Sequence, residues 1–196
     1  MVLTRMALAG LIIAGVTSVA ADVPADCSKE AVPDQKLEVM IHAKPVTMPY
    51  IAVKLNSQGM SVNDQNFTGH RLQFADDPGL FDRKYEIDFT LATNEGETPE
   101  GRTFLIYPTK SISDQPQLGD SGFPEMQGWG VEGPEIGRNI KSAFNIASMK
   151  LVFGTIADGK LPGTIYFCLA ADSEDRFTKA KVNTTYAIGR FEAVVE

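Results

Sequence analysis

Two cysteines, two histidines and one tryptophan are all that a chain of 196 residues carries of these chemically versatile side chains. The cysteines are far apart and form no C-x-x-C, which excludes a dithiol redox motif. No H-E-x-x-H marks a zinc site. Basic residues are scarce too: eighteen Lys and Arg face twenty-five Asp and Glu, for a net charge of −7. Nucleic-acid binders need a basic stripe and anionic lipid attracts polybasic segments, so neither partner is expected. The longest apolar stretch, Met6 to Val16, falls short of the ~20 residues of a membrane-spanning helix. Internal repeats are absent as well, which argues against a propeller or solenoid.

What is present begins with an export signal. Met1 to Arg5 is short and slightly basic, the apolar stretch follows, and Thr17-Ser18-Val19-Ala20-Ala21 supplies small residues of A-x-A character. Cleavage after Ala21 is expected, so residues 1–21 are read as a signal peptide. The mature protein is then exported, periplasmic or secreted, and does not span a membrane. Residues 22–36, rich in Pro, Ala and charge, read as an extended lead, and 37–196 as one domain. Two cysteines in an oxidising compartment point to a single disulfide between Cys27 and Cys168. It would close most of the domain into a loop, which chain entropy values at about 5 kcal/mol. Pro24-Ala25-Asp26 makes a poor lipobox, so Cys27 is not read as a lipid anchor.

Beyond the lead, apolar residues recur with period two. Leu37, Val39 and Ile41 form one such set, and Ile51, Val53 and Leu55 another. Leu72 with Phe74 follows, then Tyr85, Ile87, Phe89 and Leu91 against Glu86, Asp88 and Thr90. Later sets are Met149, Leu151 and Phe153, then Ile165, Phe167 and Leu169, and finally Tyr186 to Val194. Turns are expected at Ser57-Gln58-Gly59, Asp76 to Gly79, Asn94-Glu95-Gly96, Asp158-Gly159 and Asp172-Ser173. This spacing predicts an all-β fold, a single antiparallel sandwich or jelly roll of about eight strands. At most one short helix is expected, near Pro134 to Phe144. If Ile165, Phe167 and Leu169 face the core, Cys168 faces outward and the lead lies across that sheet.

One stretch, Gln115 to Gly137, lacks periodicity and holds six glycines and three prolines. Long irregular loops are often functional, and this one carries Trp129. An indole between Gly128 and Gly130 either offers a stacking platform to a sugar or folds inward as an anchor. Phe123, Tyr107 and Tyr50 could extend such a platform.

Catalytic sets are incomplete. Gly119-Asp120-Ser121-Gly122 resembles the nucleophile turn of chymotrypsin-like proteases, but neither His42 nor His70 has the matching context or spacing. Gly128 to Gly133 matches G-x-G-x-x-G as a string without a strand-to-helix setting. Asp76, Asp77 and Asp82, and Asp172, Glu174 and Asp175, cluster without the order of a calcium loop. Met40, His42, Met48, Met60 and His70 suit copper by chemistry but fit no spacing motif. Asn66 and Asn183 open formal glycosylation sequons. No cofactor and no metal is implied. The expectation is a non-enzymatic exported binding or accessory module for a glycan or an envelope protein, contacting it through the 115–137 loop with Trp129, Phe123 and Tyr107. The alternatives are a structural envelope protein that self-associates through strand edges, or a β-sandwich hydrolase using Ser121 or paired carboxylates.

Overall fold

Period-two alternation becomes strand almost wherever it occurs. The computed structural model describes residues 32, 34–79, 81–109, 111–134, 140–141, 146–170 and 183–196. Within them lie β1 (Glu38–Ile41), β2 (Lys44–Val46), β3 (Tyr50–Val62), β4 (Gln65–Ala75), β5 (Glu86–Asn94) and β6 (Thr103–Ile106). Then come β7 (Met126–Glu132), β8 (Ile140–Lys141), β9 (Ala147–Phe153), β10 (Lys160–Leu169) and β11 (Thr185–Val195). The all-β class is as expected. A 3-10 turn, Ile112–Asp114, precedes the glycine-rich stretch. The helix expected near Pro134 to Phe144 falls largely outside the described residues, and Ile140–Lys141 within it is the strand β8.

The ladder corrects the strand count and the purely antiparallel sheet. Among the described residues eleven strands make one sheet in the order β6-β9-β10-β11-β3-β4-β5-β7-β8, with β1 on β11 and β2 on β1. Among the described strands the pairings are antiparallel except β11 with β3, where Val194 and Val195 run parallel to Ala52 and Val53; Lys36 and Arg190 add an isolated parallel bridge. The physical cause is the length of β11. Its first half pairs with β1 (Glu38 opposite Ile188), while its end reaches β3. Glu196 N–H donates to the Val53 carbonyl at 2.9 Å and Leu55 N–H to the Glu196 carbonyl at 3.2 Å, extending that junction.

The sheet curls until β6 comes up against β7, so its inner face wraps one core. Edge-to-face rings run through that core. Phe153 meets Phe191 at 6.1 Å, Phe191 meets Phe74 at 5.1 Å, and Phe74 meets Phe89 at 6.3 Å. Phe89 then meets Phe167 at 5.0 Å, and Phe167 meets Trp129 at 5.6 Å. Each buried side chain of this size contributes roughly 1.5–3 kcal/mol, and each such pair about 0.5–1.5 more. Phe191 lies over its cross-strand partner Gly163, where an added Cβ would stand 2.5 Å from the ring. Glycine there makes room for the aromatic.

On the outer face of β10 and β11, Tyr166, Cys168, Tyr186 and Ile188 form a second cluster with Val32 and Met40. Ile165, Phe167 and Leu169 point inward, so Cys168 faces outward as the alternation predicted. Residues 34–36, at the end of the lead, cross this region. Arg190 N–H donates to the Gln35 carbonyl at 2.8 Å, and its guanidinium pairs with Asp34 at 3.1 Å. Gly189, with φ of +126°, sits where Lys36 O would be 2.6 Å from any Cβ. A side chain there would block the crossing. Cys27 lies outside the described residues, among which no cysteine is free.

Of two expected turns, one forms as expected and the other does not. Asp158 and Gly159 take φ of 50° and 72° in a tight hairpin, with Ala157 and Lys160 exchanging bonds of 3.0 and 2.9 Å. Ser57-Gln58-Gly59, by contrast, is no turn. It lies inside β3 at an irregularity between Lys54 and Gln58, and the chain reverses at Asn63 and Asp64 instead, with φ of 51° and 63°. The Asp172-Ser173 turn lies outside the described residues.

Candidate ligand-binding face

The stretch expected to be one long loop is divided by β7. Its strand character is masked by a bulge: Thr90 pairs with Gly128 but Leu91 pairs with Met126, leaving Gln127 as the extra residue. Met126 and Trp129, three apart, are thereby both turned inward, which breaks the period-two pattern in the sequence. Trp129 is 2% exposed, opposite Phe89 and against Phe167, so its indole takes the anchor position of the two considered. Its Nε1–H finds no acceptor among the described residues.

Phe123 does something different. It stacks on Phe67 at 4.4 Å and 13°, and with Leu118, Ala92 and Met60 forms a small outer core. This folds residues 115–125 over the outer face of β4 and β5. Ala92 N–H donates to the Glu125 carbonyl at 2.7 Å, and Leu118 N–H to the Phe123 carbonyl at 2.8 Å. Tyr107, 37% exposed, follows β6. The Gln115 carboxamide clasps its backbone, with Nε2 donating to the Tyr107 carbonyl at 2.7 Å and Oε1 accepting its N–H at 2.9 Å. No ring contact joins any two of Trp129, Phe123 and Tyr107.

The outer core has two depressions on its flanks, of 360 and 570 Å³. They share Asn66, Phe67 and Glu95. The first is completed by the irregular part of β3, with Asn56, Gln58 and Ser61; the second by Gln65, Asn94 and the Leu118–Ser121 turn. Asn66 Nδ2 donates to Glu95 Oε2 at 3.3 Å across the shared wall. The lining therefore mixes amides, hydroxyls and carboxylates with the apolar side chains of Met60, Phe67 and Leu118. Composition carried the available signal: Asn56 to Asn66 is crowded with Asn, Gln and Ser, and only Asp64 is charged. The turn reading of Ser57 to Gly59 hid it.

Gly69 makes the bulged part of β3 possible. A Cβ there would fall 2.6 Å from Gln58 Cγ and 3.1 Å from the Gln58 carbonyl. Ser57 Oγ donates to the Gly69 carbonyl at 3.1 Å, closing the bulge over β4. Behind the Asn94–Glu97 turn, Arg102 pairs with Glu97 at 2.6 Å and Glu125 at 3.4 Å. Burial pushes the Glu125 carboxyl above the ordinary range, and Arg102 pulls it back.

The hydrolytic candidates are occupied structurally. Ser121 Oγ donates to the Leu118 carbonyl at 2.6 Å and accepts Phe123 N–H at 3.0 Å, closing its own turn. His70 is fully buried against Thr93, and His42 sits in the β1–β2 turn with φ of 52°. Asp76 Oδ1 accepts the N–H groups of Lys84 and Tyr85, and Asp77 Oδ1 that of Gly79. The second acidic cluster, Asp172 to Asp175, lies outside the described residues. Among the described residues no three His, Cys, Asp or Glu side chains converge on a point, and no helix is long and apolar enough to cross a membrane. Phe81 stands 96% exposed on the β4–β5 connection, which Arg83 braces by bonds to the Asp77 and Pro78 carbonyls. A lone exposed ring is ordinary at a surface.

A more apolar groove of 540 Å³, lined by Leu37, Met40, Val46, Met48 and Ile51, lies beside β1 and β2. It adjoins the lead, most of which is outside the described residues, so the polar face is the better-defined site. No protein family, curated protein or solved structure matches the chain.

Proposed function

We propose that the chain is an exported, non-enzymatic binding module, and that its ligand is a glycan held on the polar face around Asn66 and Glu95. One observation carries the reading: two adjoining depressions share a wall of Asn66, Phe67 and Glu95, and amides and hydroxyls alternate around them with the apolar side chains of Met60 and Leu118. Sugar hydroxyls ask for this mixture of planar donors and acceptors. Each such bond nets only about 0.5–1.5 kcal/mol, so several must act together, and micromolar to millimolar affinity is the natural range.

Export and the disulfide belong to the same proposal. Val32 packs against the cluster that contains Cys168, and five extended residues reach about 17 Å, enough to bring Cys27 to it. The bridge would pin the lead on the side of the sheet that Val32 already occupies.

The test is a panel of bacterial and plant polysaccharides on an array, with hits quantified by calorimetry on the mature oxidised protein. Binding that weakens at least tenfold in both Asn66→Ala and Glu95→Gln, with unchanged circular dichroism, supports the reading. A panel without hits, or hits insensitive to both substitutions, overturns it and favours an envelope-protein ligand.

A further inference from the structure

His70 occupies a position that neither packing nor turn closure accounts for. It is the third inward residue along Phe74, Leu72, His70 and Thr68 on β4, at the end where the core turns polar, and it is fully buried. Its two ring nitrogens reach two different walls of the polar face. Nδ1 accepts the backbone N–H of Asn56 at 3.4 Å, within the bulge of β3. Nε2 lies 2.9 Å from Thr93 Oγ1.

That pair of contacts fixes the tautomer. Because Asn56 N–H can only donate, Nδ1 must present its lone pair, so the hydrogen is on Nε2 and is donated to Thr93. The Thr93 hydroxyl then donates onward, its nearest acceptor being the Glu97 carbonyl at 3.0 Å. Thr68 Oγ1 accepts Gly96 N–H at 3.0 Å in the same turn. A continuous relay therefore runs from Asn56, which lines the first depression, through His70 and Thr93 to the turn carrying Glu95.

We propose that His70 is an acid-sensitive latch that positions the polar face, holding the β3 bulge against the Asn94–Glu97 turn while neutral and releasing it when protonated. Whether the released state binds less glycan rests on the function proposed above; the latch itself does not. A second proton can enter only at Nδ1, where it turns an acceptor into a donor facing the Asn56 N–H. The bond is long and its loss alone would matter little. Two donors pointed at each other, one of them on a buried, charged ring, force the pair apart. The bulge is the part that can yield, since Asn56 already holds a φ of 51° and few ladder bonds cross between Lys54 and Gln58.

The surroundings set the threshold. Burial opposes protonation most strongly, the Glu97 carbonyl at the end of the relay favours it, and the Arg102 guanidinium opposes it. The carboxylates of Glu97 and Glu125 are paired with Arg102. On β3, β4 and β5, the nearby charges Lys54, Arg71 and Asp88 belong to the outer face, where Arg71 pairs with Glu86 and Asp88. No charged side chain on those strands is directed at the imidazole.

The experiment is a pH titration of the mature, oxidised, nitrogen-15-labelled protein from pH 7.5 to 4, following the His70 ring and the backbone amides without any ligand. The latch predicts that Asn56, Ser57, Gln58, Gly96 and Glu97 shift together with the midpoint of the His70 ring. In His70→Gln, whose carboxamide keeps one acceptor and one donor without titrating, that common transition disappears. Amides that stay still while the ring titrates overturn the proposal, as does an unchanged transition in His70→Gln. Loss of all amides at one pH also overturns it, because the latch requires a local opening. Since no glycan is present, failure here and failure of the glycan screen are separate results.

Discussion

Trp129 closes the aromatic path that starts at Phe153, and its burial fixes what it reports. The indole should emit at short wavelength and resist acrylamide quenching in the native protein, and red-shift on unfolding. Trp129→Ala removes most of a ring from a packed core and should cost about 3–5 kcal/mol by urea denaturation. A native indole that is readily quenched would contradict its placement. His70 and Glu125 give a pH signature of opposite signs. Burial lowers the imidazole's proton affinity in the folded state, so the unfolded chain binds more protons below about pH 6.5. Stability from this group is whole above that pH and is lost as pH falls. For Glu125, whose carboxyl is raised by burial, the folded state binds protons more readily, so this group's contribution improves as pH falls. Denaturation from pH 7.5 to 4.5 should therefore show a shallower acid decline in His70→Gln and a steeper one in Glu125→Gln.

At the level of elements, what the sequence displays depends on whether a strand keeps its parity. β5 and β10 alternate without interruption, and both were legible from Ile87, Phe89 and Leu91 and from Ile165, Phe167 and Leu169. β7 was hidden because the bulge at Gln127 resets its parity and two glycines dilute it. The irregular part of β3 hid the polar face for a similar reason, since Ser57-Gln58-Gly59 carries turn chemistry that tertiary pairing with Gly69 overrides. Of the aromatic residues expected to bind, only Phe123 lies on the segment that borders the polar face, and it does so as a clamp. Phe123→Ala should lift residues 115–125 from β4 and β5. Hydrogen exchange at Ala92 and Leu118 should accelerate by at least tenfold, while the core amide of Phe89 keeps its protection. Uniform acceleration, or none, would show that the segment is not held by this stack.

For the whole molecule, the long-range joins are what local pattern could not reveal. The outward face of Cys168 follows from alternation. The parallel meeting of β11 with β3 does not, because it depends on one strand being long enough to serve two neighbours. If Cys27 and Cys168 are bridged as proposed, the mature protein has no reactive thiol in denaturant. Replacing both cysteines with serine should then lower stability by up to about 5 kcal/mol without changing the fold. Two free thiols in the oxidatively refolded protein would defeat the bridge. The account rests most heavily on where a ligand sits. The measurement that decides it is amide shift mapping of the mature protein on addition of the tightest glycan from the screen. Perturbations confined to residues 56–61, 65–67, 94–96 and 118–121 are the predicted result. Perturbations centred on the apolar groove of Leu37, Met40 and Ile51, with the polar face unmoved, would contradict it.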